Sequence, residues 1–215
     1  MTRMKPQVCP LCSHDAIEAF HQDRSRSFFR CPRCELIFVP SSEHVSAEME
    51  KVRYDLHNNS PDDKGYRQFL SQILAPLLPK INPSGRGLDF GCGPAPVLTQ
   101  ILQEKGYQAE HFDPIYHNRT ELLSRQYDFI TCTEVVEHFR NPKADWERLV
   151  KLVRKGGWLA VMTQLIPAGM DFGQWYYQRD STHVSFYSDE TLRWIANCNR
   201  LSIERYGKSI ALFQR

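Results

Sequence analysis

The chain has 215 residues, enough for one well-packed core and a small appendage. Its formal charge is +2 at pH 7, which neither requires nor forbids a nucleic-acid partner. No apolar run reaches the ~18 residues that a membrane span needs. No apolar segment follows the first residues, so we expect no signal peptide and a cytoplasmic protein without a membrane partner. Seven cysteines in such a chain favour metal binding over disulfides.

Four of the cysteines form two Cys-x-x-Cys pairs: Cys9 with Cys12, and Cys31 with Cys34. Two intervening residues bend the chain so that both thiolates of a pair can face one tetrahedral ion. Short strands at 27–30 and 36–39 are expected to lead into and out of the second pair. The sequence therefore predicts a zinc ribbon over residues 1–42, with one structural zinc bound by all four cysteines.

A linker and a helix follow the ribbon over residues 43–82. The first part, to about residue 63, is polar. Residues 66–78 carry apolar side chains at helical spacing, and Pro79 ends that pattern.

Strands alternate with helices over residues 83–215, which indicates an α/β fold with a parallel sheet. We expect strands at 87–90, 107–112, 127–133 and 158–163, and helices at 97–105, 141–153 and 188–198. Ser188 is a good N-cap for the last helix, although Thr191 stands where a capping box has Glu. A hairpin of 201–206 and 209–213 is expected to end the chain.

The most informative stretch is residues 87–94, an apolar strand that ends in Asp89 and two close glycines and then enters a helix. Glycine lets a backbone turn pass tightly against a ligand because it has no Cβ. Asp113 closes the next strand, where a carboxylate can reach the ribose hydroxyls of a nucleoside.

This pattern resembles the first motif of the class I S-adenosylmethionine (SAM) methyltransferases, an acid and an apolar residue before Gly-x-Gly-x-Gly. Here the motif is Asp89, Phe90, Gly91, Cys92 and Gly93, with Ala95 at the last position. An acidic loop suits the ammonium of SAM, whereas it would repel the pyrophosphate of NAD. The resemblance implies a Rossmann-like sheet that ends in an antiparallel pair. Only thirteen residues separate Asp113 from Tyr127, so we expect one short helix at about 119–125 and no third strand.

The resemblance also implies the residues that bind SAM. Asp113 would hold the ribose, and Asp89 would help to hold the ammonium through the loop and ordered water. The candidates around them are Phe90, Gly91, Cys92, Gly93, Pro114, Thr133 and Glu134. The lid helix of many such enzymes adds Tyr54, His57 and Tyr66. The adenine contact stays unassigned, since the family places it in the region of the missing strand.

Glu134, Glu137 and His138 follow the strand at 127–133 and would share one face of a helix. They can provide a general base, His138, oriented by a carboxylate, or ligands for a divalent cation. The run resembles the ubiquinone-type O-methyltransferases and the small-RNA 2′-O-methyltransferases. In the latter it is a metal site completed by a later histidine, here His183. A structural or SAM-contact role is the remaining alternative.

Residues 174–188 are rich in aromatic side chains and include His183. The resemblance to small-molecule methyltransferases implies that His183 faces the acceptor and can take its proton. Aromatic packing with a histidine that caps a backbone group is the alternative.

The expected function is SAM-dependent methyl transfer to an oxygen or nitrogen of a small-molecule acceptor, with His183, His138, Glu134 and Glu137 as catalytic candidates. One alternative is an RNA methyltransferase, because ribosomal RNA guanine-N1 methyltransferases also pair a four-cysteine ribbon with a SAM domain. Its RNA contacts would be Arg24, Arg26, Arg30 and Arg33. The other is a non-catalytic SAM-binding partner module. Acceptor and oligomeric state stay open.

Overall fold

The computed structural model describes residues 8–56, 60–167 and 169–215, and these contain ten strands and six α-helices. The strands are β1 (Glu18–Gln22), β2 (Ser27–Arg30), β3 (Ile37–Phe38), β4 (Arg86–Phe90), β5 (Gln108–Phe112), β6 (Tyr127–Thr133), β7 (Val153–Met162), β8 (Ser185–Phe186), β9 (Ser202–Tyr206) and β10 (Ile210–Gln214). The helices are α1 (Ala47–Asp55), α2 (Lys64–Ser71), α3 (Leu74–Leu77), α4 (Val97–Glu104), α5 (Pro142–Leu152) and α6 (Asp189–Asn199).

A six-stranded sheet in the order β5-β4-β6-β7-β10-β9 forms the centre of the molecule. The first four strands are parallel, and β10 pairs antiparallel with both β7 and β9. This is the predicted Rossmann-like sheet with its terminal hairpin. Residues 113–126 are all described, and they contain a 3-10 helix, Thr120–Ser124, but no strand that joins the sheet. The expected loss of the third strand is confirmed.

Helices cover both faces of this sheet. Helices α2, α3 and α4 pack with Phe129 and Leu212 on one face, while α5 and α6 pack with Ile130 and Phe213 on the other. Successive residues of a strand thus point to opposite faces, and both faces are apolar because both are buried. The carboxyl ends of the parallel strands remain as the edge where loops can form a site.

Three predicted elements differ from the structure. The linker contains a helix, α1, whose N-cap Ser46 accepts the N–H of Met49 at 3.3 Å. The helix expected at 66–78 is divided into α2 and α3, with a 3-10 helix, Leu78–Lys80, after them. The strand expected at 158–163 already begins at Val153. None of the helices in the described ranges has the length and apolar character needed to cross a membrane.

The N-terminal strands form a second sheet, in the order β1-β2-β3-β8. Its fourth strand comes from just before α6, where Ile37 pairs with Phe186 and Phe38 with Ser185. Ribbon residues Phe28, Ile37 and Val39 share an apolar cluster with Phe172 and with four side chains of the aromatic-rich residues 174–188, namely Trp175, Tyr177, Val184 and Phe186. The ribbon therefore packs directly against the segment expected to face the acceptor.

Candidate functional site

The glycine turn after β4 has the backbone geometry that its sequence requires. Gly91 and Gly93 have φ angles of +80° and +67°, in the region that favours glycine. A Cβ on Gly91 would lie 2.4 Å from Val135, whereas a Cβ on Gly93 would have no atom within 4 Å. Gly91 thus permits close packing inside the protein, and Gly93 faces open space that a ligand can occupy.

Asp89 lies beneath this turn and is 3% exposed. Its carboxylate accepts hydrogen bonds from the hydroxyls of Thr131 and Thr99 at 2.9 and 3.2 Å. Burial raises the pKa of Asp89 to about 6 despite these bonds. The side chain therefore ties β4 to β6 and α4 beneath the turn. Phe90 next to it is buried against Phe112, with ring centroids 5.4 Å apart.

Asp113 joins the end of β5 to the glycine turn. Its carboxylate accepts the N–H groups of Gly93 at 2.9 Å, Ile115 at 2.8 Å and Tyr116 at 3.0 Å. An ionised carboxylate offers about four lone pairs, so capacity remains for a ribose hydroxyl. Its charge contributes to raising the pKa of Asp89 and of the Cys92 thiol. The two acids therefore lie near each other, as the sequence predicted, while Pro114 after them is exposed.

Two further side chains converge on the turn. The Thr133 hydroxyl at the end of β6 is buried and has no hydrogen-bond partner within the described part of the chain. Burial, followed by the charges of Asp89, Cys92 and Glu134, raises the pKa of Tyr66 to about 12, so α2 places this phenol beside the turn. A buried hydroxyl without a partner at the carboxyl end of a strand is a group that a polar ligand could satisfy.

Tyr54 lies beside His138. Its ring contacts His138, with centroids 5.2 Å apart, and its hydroxyl donates to Glu50 at 2.8 Å. Helix α1 therefore lies beside His138, and its Asp55 also accepts the hydroxyl of Tyr116, close to Asp113, at 2.6 Å. His57, the third lid candidate, lies outside the described residues.

The segment after β6 is not the continuous helix on which the shared-face argument depended. Glu134 has a φ of +53°, and its N–H donates to Met162 across the sheet at 2.8 Å. The helical turn, a 3-10 helix, starts only at Val136. The left-handed residue redirects the chain, so that expectation is wrong. The loop still brings Glu137 and His138 close to His183. The ligating atoms of these three residues all lie within 4.8 Å of one another, and Glu134 is not part of this group.

Both histidines are anchored in the same way. His138 Nδ1 lies 3.1 Å from the Thr182 carbonyl oxygen, and His183 Nδ1 lies 2.8 Å from that of Tyr177. A carbonyl only accepts, so each Nδ1 carries the proton and each Nε2 keeps a lone pair. Burial lowers the pKa of His183 and outweighs the opposing charge of Glu137. The charge of His138 lowers this pKa further. The pair can therefore take a proton or bind a cation.

The two carboxylates near the histidines are linked by one phenol. Tyr177 donates its hydroxyl to Glu137 and lies 3.1 Å from Glu134. Glu137 is 1% exposed and also accepts the Thr163 hydroxyl at 2.9 Å. Burial, and then the charge of Glu137, raise the pKa of Glu134 to about 9. Sequence reasoning missed Tyr177 and Thr163, because nothing in the aromatic run distinguishes the ring that turns towards the glutamates.

The four ribbon cysteines also converge. All four sulfurs lie within 4.8 Å of one another, with Cys9 and Cys34 3.5 Å apart and Cys12 and Cys31 3.4 Å apart. Tetrahedral zinc with bonds of ~2.3 Å separates its sulfurs by ~3.8 Å. The donor set and its dimensions fit one structural zinc ion.

A family model described as a methyltransferase domain matches residues 63–200, more than half of the chain. The protein belongs to this methyltransferase family, and its glycine turn and sheet order are those of the class I SAM-dependent methyltransferase fold.

Among curated relatives, the ubiquinone biosynthesis O-methyltransferase of Klebsiella pneumoniae is 29% identical over 85 residues. The match covers 40% of this chain and only 35% of that protein. A methyltransferase of calicheamicin biosynthesis, solved with S-adenosylhomocysteine (SAH), has a TM-score of 0.52 at 15% identity and covers 79% of this chain and 58% of its own. The Burkholderia thailandensis 1,6-didemethyltoxoflavin-N1-methyltransferase has a TM-score of 0.51 at 12% identity and covers 91% and 97%.

Proposed function

We propose that this protein transfers the methyl group of SAM to an oxygen or nitrogen of a small-molecule acceptor, with His183 and His138 as the proton-accepting pair. The observation that carries the proposal is the pair of Nε2 lone pairs held beside Glu137 at the carboxyl edge of the sheet. An acceptor with an O–H or N–H group must lose a proton as it is methylated, and a neutral imidazole within reach can take it.

Cofactor binding and proton transfer belong to two different groups of residues. Asp113 holds the ribose, the backbone at Gly93 lies against the cofactor, and Thr133 supplies a further hydrogen bond. The sulfonium provides an already activated methyl group, so the protein mainly aligns the acceptor and excludes water. Bound SAM would supply the methyl group to the acceptor atom and leave as SAH, and His183 Nε2 would receive the acceptor's proton.

The relatives support the class of acceptor. The curated relative is an O-methyltransferase of ubiquinone biosynthesis, and the Burkholderia thailandensis structure contains its small-molecule acceptor together with SAH. The aromatic side chains around the histidines, including Tyr54 and Tyr177, supply flat walls that suit a planar acceptor.

The cofactor site is tested by titrating the protein with SAH in a calorimeter. We expect binding, and Asp113→Asn should weaken it about tenfold, because a charged acceptor for the ribose hydroxyls is worth ~1.5 kcal/mol or more. Glu110→Gln is the matched control, since Glu110 lies on the same strand and pairs with surface arginines. A wild-type protein that does not bind SAH would refute the proposal.

A second role for the acceptor-side residues is a divalent cation held by Glu137, His138 and His183. Two imidazoles whose other nitrogen donates to a backbone carbonyl, with one carboxylate, form a common set of metal ligands. The cation would then lower the pKa of the acceptor hydroxyl. Methyl transfer that is lost on dialysis against a chelator and restored by Mg²⁺, Mn²⁺ or Zn²⁺ at unchanged ribbon zinc would favour the cation. Activity insensitive to this treatment would favour the base.

We also propose that the four cysteines hold one structural zinc and that the protein works in the reducing cytoplasm. The RNA alternative gains little support from the ribbon. Arg26 is buried at 7% exposure, and Arg30 pairs with Glu35, which leaves Arg24 and Arg33 as its exposed arginines.

A further inference from the structure

One ribbon side chain is buried against the segment that carries His183. The Arg26 guanidinium donates to the carbonyl oxygens of Asp180 at 3.0 Å and His183 at 3.1 Å, and also to that of Gln178. These acceptors lie more than 150 residues away in the sequence. A planar guanidinium with five donors is suited to hold several carbonyls at once.

Arg26 is itself held in place by the hairpin turn between β1 and β2. The Asp23 carboxylate accepts the backbone N–H groups of Ser25 and Arg26, both at 2.7 Å, and lies 3.6 Å from the guanidinium. The guanidinium carbon also lies 5.1 Å from the centre of the Phe28 ring. The donors thus project from a fixed turn rather than from a mobile surface side chain.

The carbonyls that Arg26 binds lie within residues 177–183, the same segment whose Tyr177 and Thr182 carbonyls accept the two imidazole N–H groups. The His183 N–H donates to the Asp180 carbonyl at 3.1 Å, and the Thr182 carbonyl in the same turn accepts His138 Nδ1. The Asp180 carboxylate, in turn, accepts the Thr182 hydroxyl at 2.6 Å and the Arg53 guanidinium at 2.8 Å. A displacement of this turn would move both histidines together.

We propose that Arg26 is a positioning residue of the acceptor site, through which the zinc ribbon fixes the orientation and tautomer of His138 and His183. The inference rests on the proposed role of these histidines. On this inference, the ribbon helps to position the acceptor site. The β3–β8 pairing and the shared aromatic cluster place the ribbon against the segment that carries His183.

Histidine tautomers provide a direct test that needs neither cofactor nor acceptor. Long-range proton–nitrogen spectra of ¹⁵N-histidine-labelled protein distinguish Nδ1–H from Nε2–H rings, and the variants His138→Gln and His183→Gln assign the two signals. The wild type should show both rings as fixed Nδ1–H tautomers. In Arg26→Met both signals should move towards a mixture of tautomers. Arg24→Met is the matched control, since it removes an exposed arginine from the same turn, and should leave them unchanged.

A purely structural role for Arg26 would lower the free energy of unfolding without altering the tautomers of the folded protein. Unchanged histidine signals in a folded Arg26→Met variant would therefore overturn the inference. If that variant does not fold, Arg26→Lys keeps the charge and the apolar stem, but one ammonium cannot span the three carbonyls. It should also mix the tautomers, and fixed Nδ1–H signals in it would overturn the inference.

The two proposals can fail separately. SAH affinity of the Arg26 variants should stay within about twofold of the wild type, because Arg26 has no contact with the glycine turn. A wild type that does not bind SAH refutes the proposed function, whereas the histidine spectra alone decide the role of Arg26.

Discussion

Glu134 is the residue whose environment departs furthest from that of an ordinary carboxylate. It lies between the glycine turn and the histidines, is linked to Glu137 through one phenol, and has its pKa raised to about 9 by burial and by that neighbour. It is therefore protonated in the folded protein at pH 7 and ionised in the unfolded chain.

This difference predicts how stability depends on pH. A raised pKa in the folded state means that the contribution is fully present below the unfolded value of about 4.5 and is lost as pH rises towards about 9. Glu134→Gln removes the titration while keeping the shape. The variant should gain stability over the wild type as pH rises from 5 to 8, by at most ~1.4 kcal/mol per pH unit. Urea unfolding at several pH values measures the difference, and a constant difference would contradict the prediction.

At the scale of single residues, the sequence predicted which residue types form the site but not where their side chains point. Glu137, His138 and His183 were all candidates, and the structure brings them together. Tyr177 and Thr163 were not, and Arg26 was a candidate only for RNA contact, since each acts through an atom whose direction is set by tertiary packing. The sequence contains no local signal that an arginine in a ribbon turn reaches a loop more than 150 residues away.

At the scale of elements, the N-terminus of α6 forms a capping box from a serine and a threonine. The Ser188 hydroxyl accepts the Thr191 N–H at 3.1 Å, and the Thr191 hydroxyl accepts the Ser188 N–H at 3.3 Å. The threonine hydroxyl replaces the usual carboxylate, so a capping box forms although Thr191 stands where such a box has Glu. This helix directly follows β8 and the histidine segment.

Ser188→Ala should therefore destabilise the protein by about 1 kcal/mol, the typical cost of losing an N-cap hydroxyl. Ser202→Ala, an exposed serine on β9, is the control and should change stability by less than ~0.5 kcal/mol. Equal effects of the two substitutions in thermal unfolding would show that the cap contributes nothing.

Most elements of the central sheet followed from apolar patterning, because buried parallel strands and amphipathic helices leave strong periodic signals. Strand β8 could not be predicted. It has only two residues, Ser185–Phe186, and exists because Phe38 and Ile37 offer a free edge from the other end of the chain. The helix division between α2 and α3 likewise depends on packing rather than on propensity.

For the whole molecule, the ribbon and the methyltransferase sheet share one apolar core. Cys9, Leu11 and Phe29 belong to the same buried cluster as Trp146 and Phe213. A metal that organises the ribbon should consequently stabilise more than the ribbon itself.

Removal of a zinc ion held by the four cysteines should therefore lower the midpoint of the main unfolding transition. A loss of ~2 kcal/mol would correspond to ~4–8 °C for a chain of this size. The purified protein should contain about one zinc, and the transition should recover when zinc is returned. An independently folding ribbon would instead unfold in a separate step and leave the main midpoint unchanged.

The β3–β8 pairing predicts how the protein behaves when its N-terminal residues are removed. Deleting the first forty or so residues would strip the cover from Phe172, Trp175 and Phe186 and leave an unpaired strand edge beside them. Contiguous aromatic surface next to an open edge promotes self-association. The remaining residues 41–215 should accumulate as aggregates, even though the glycine turn and both histidines would still be present in them.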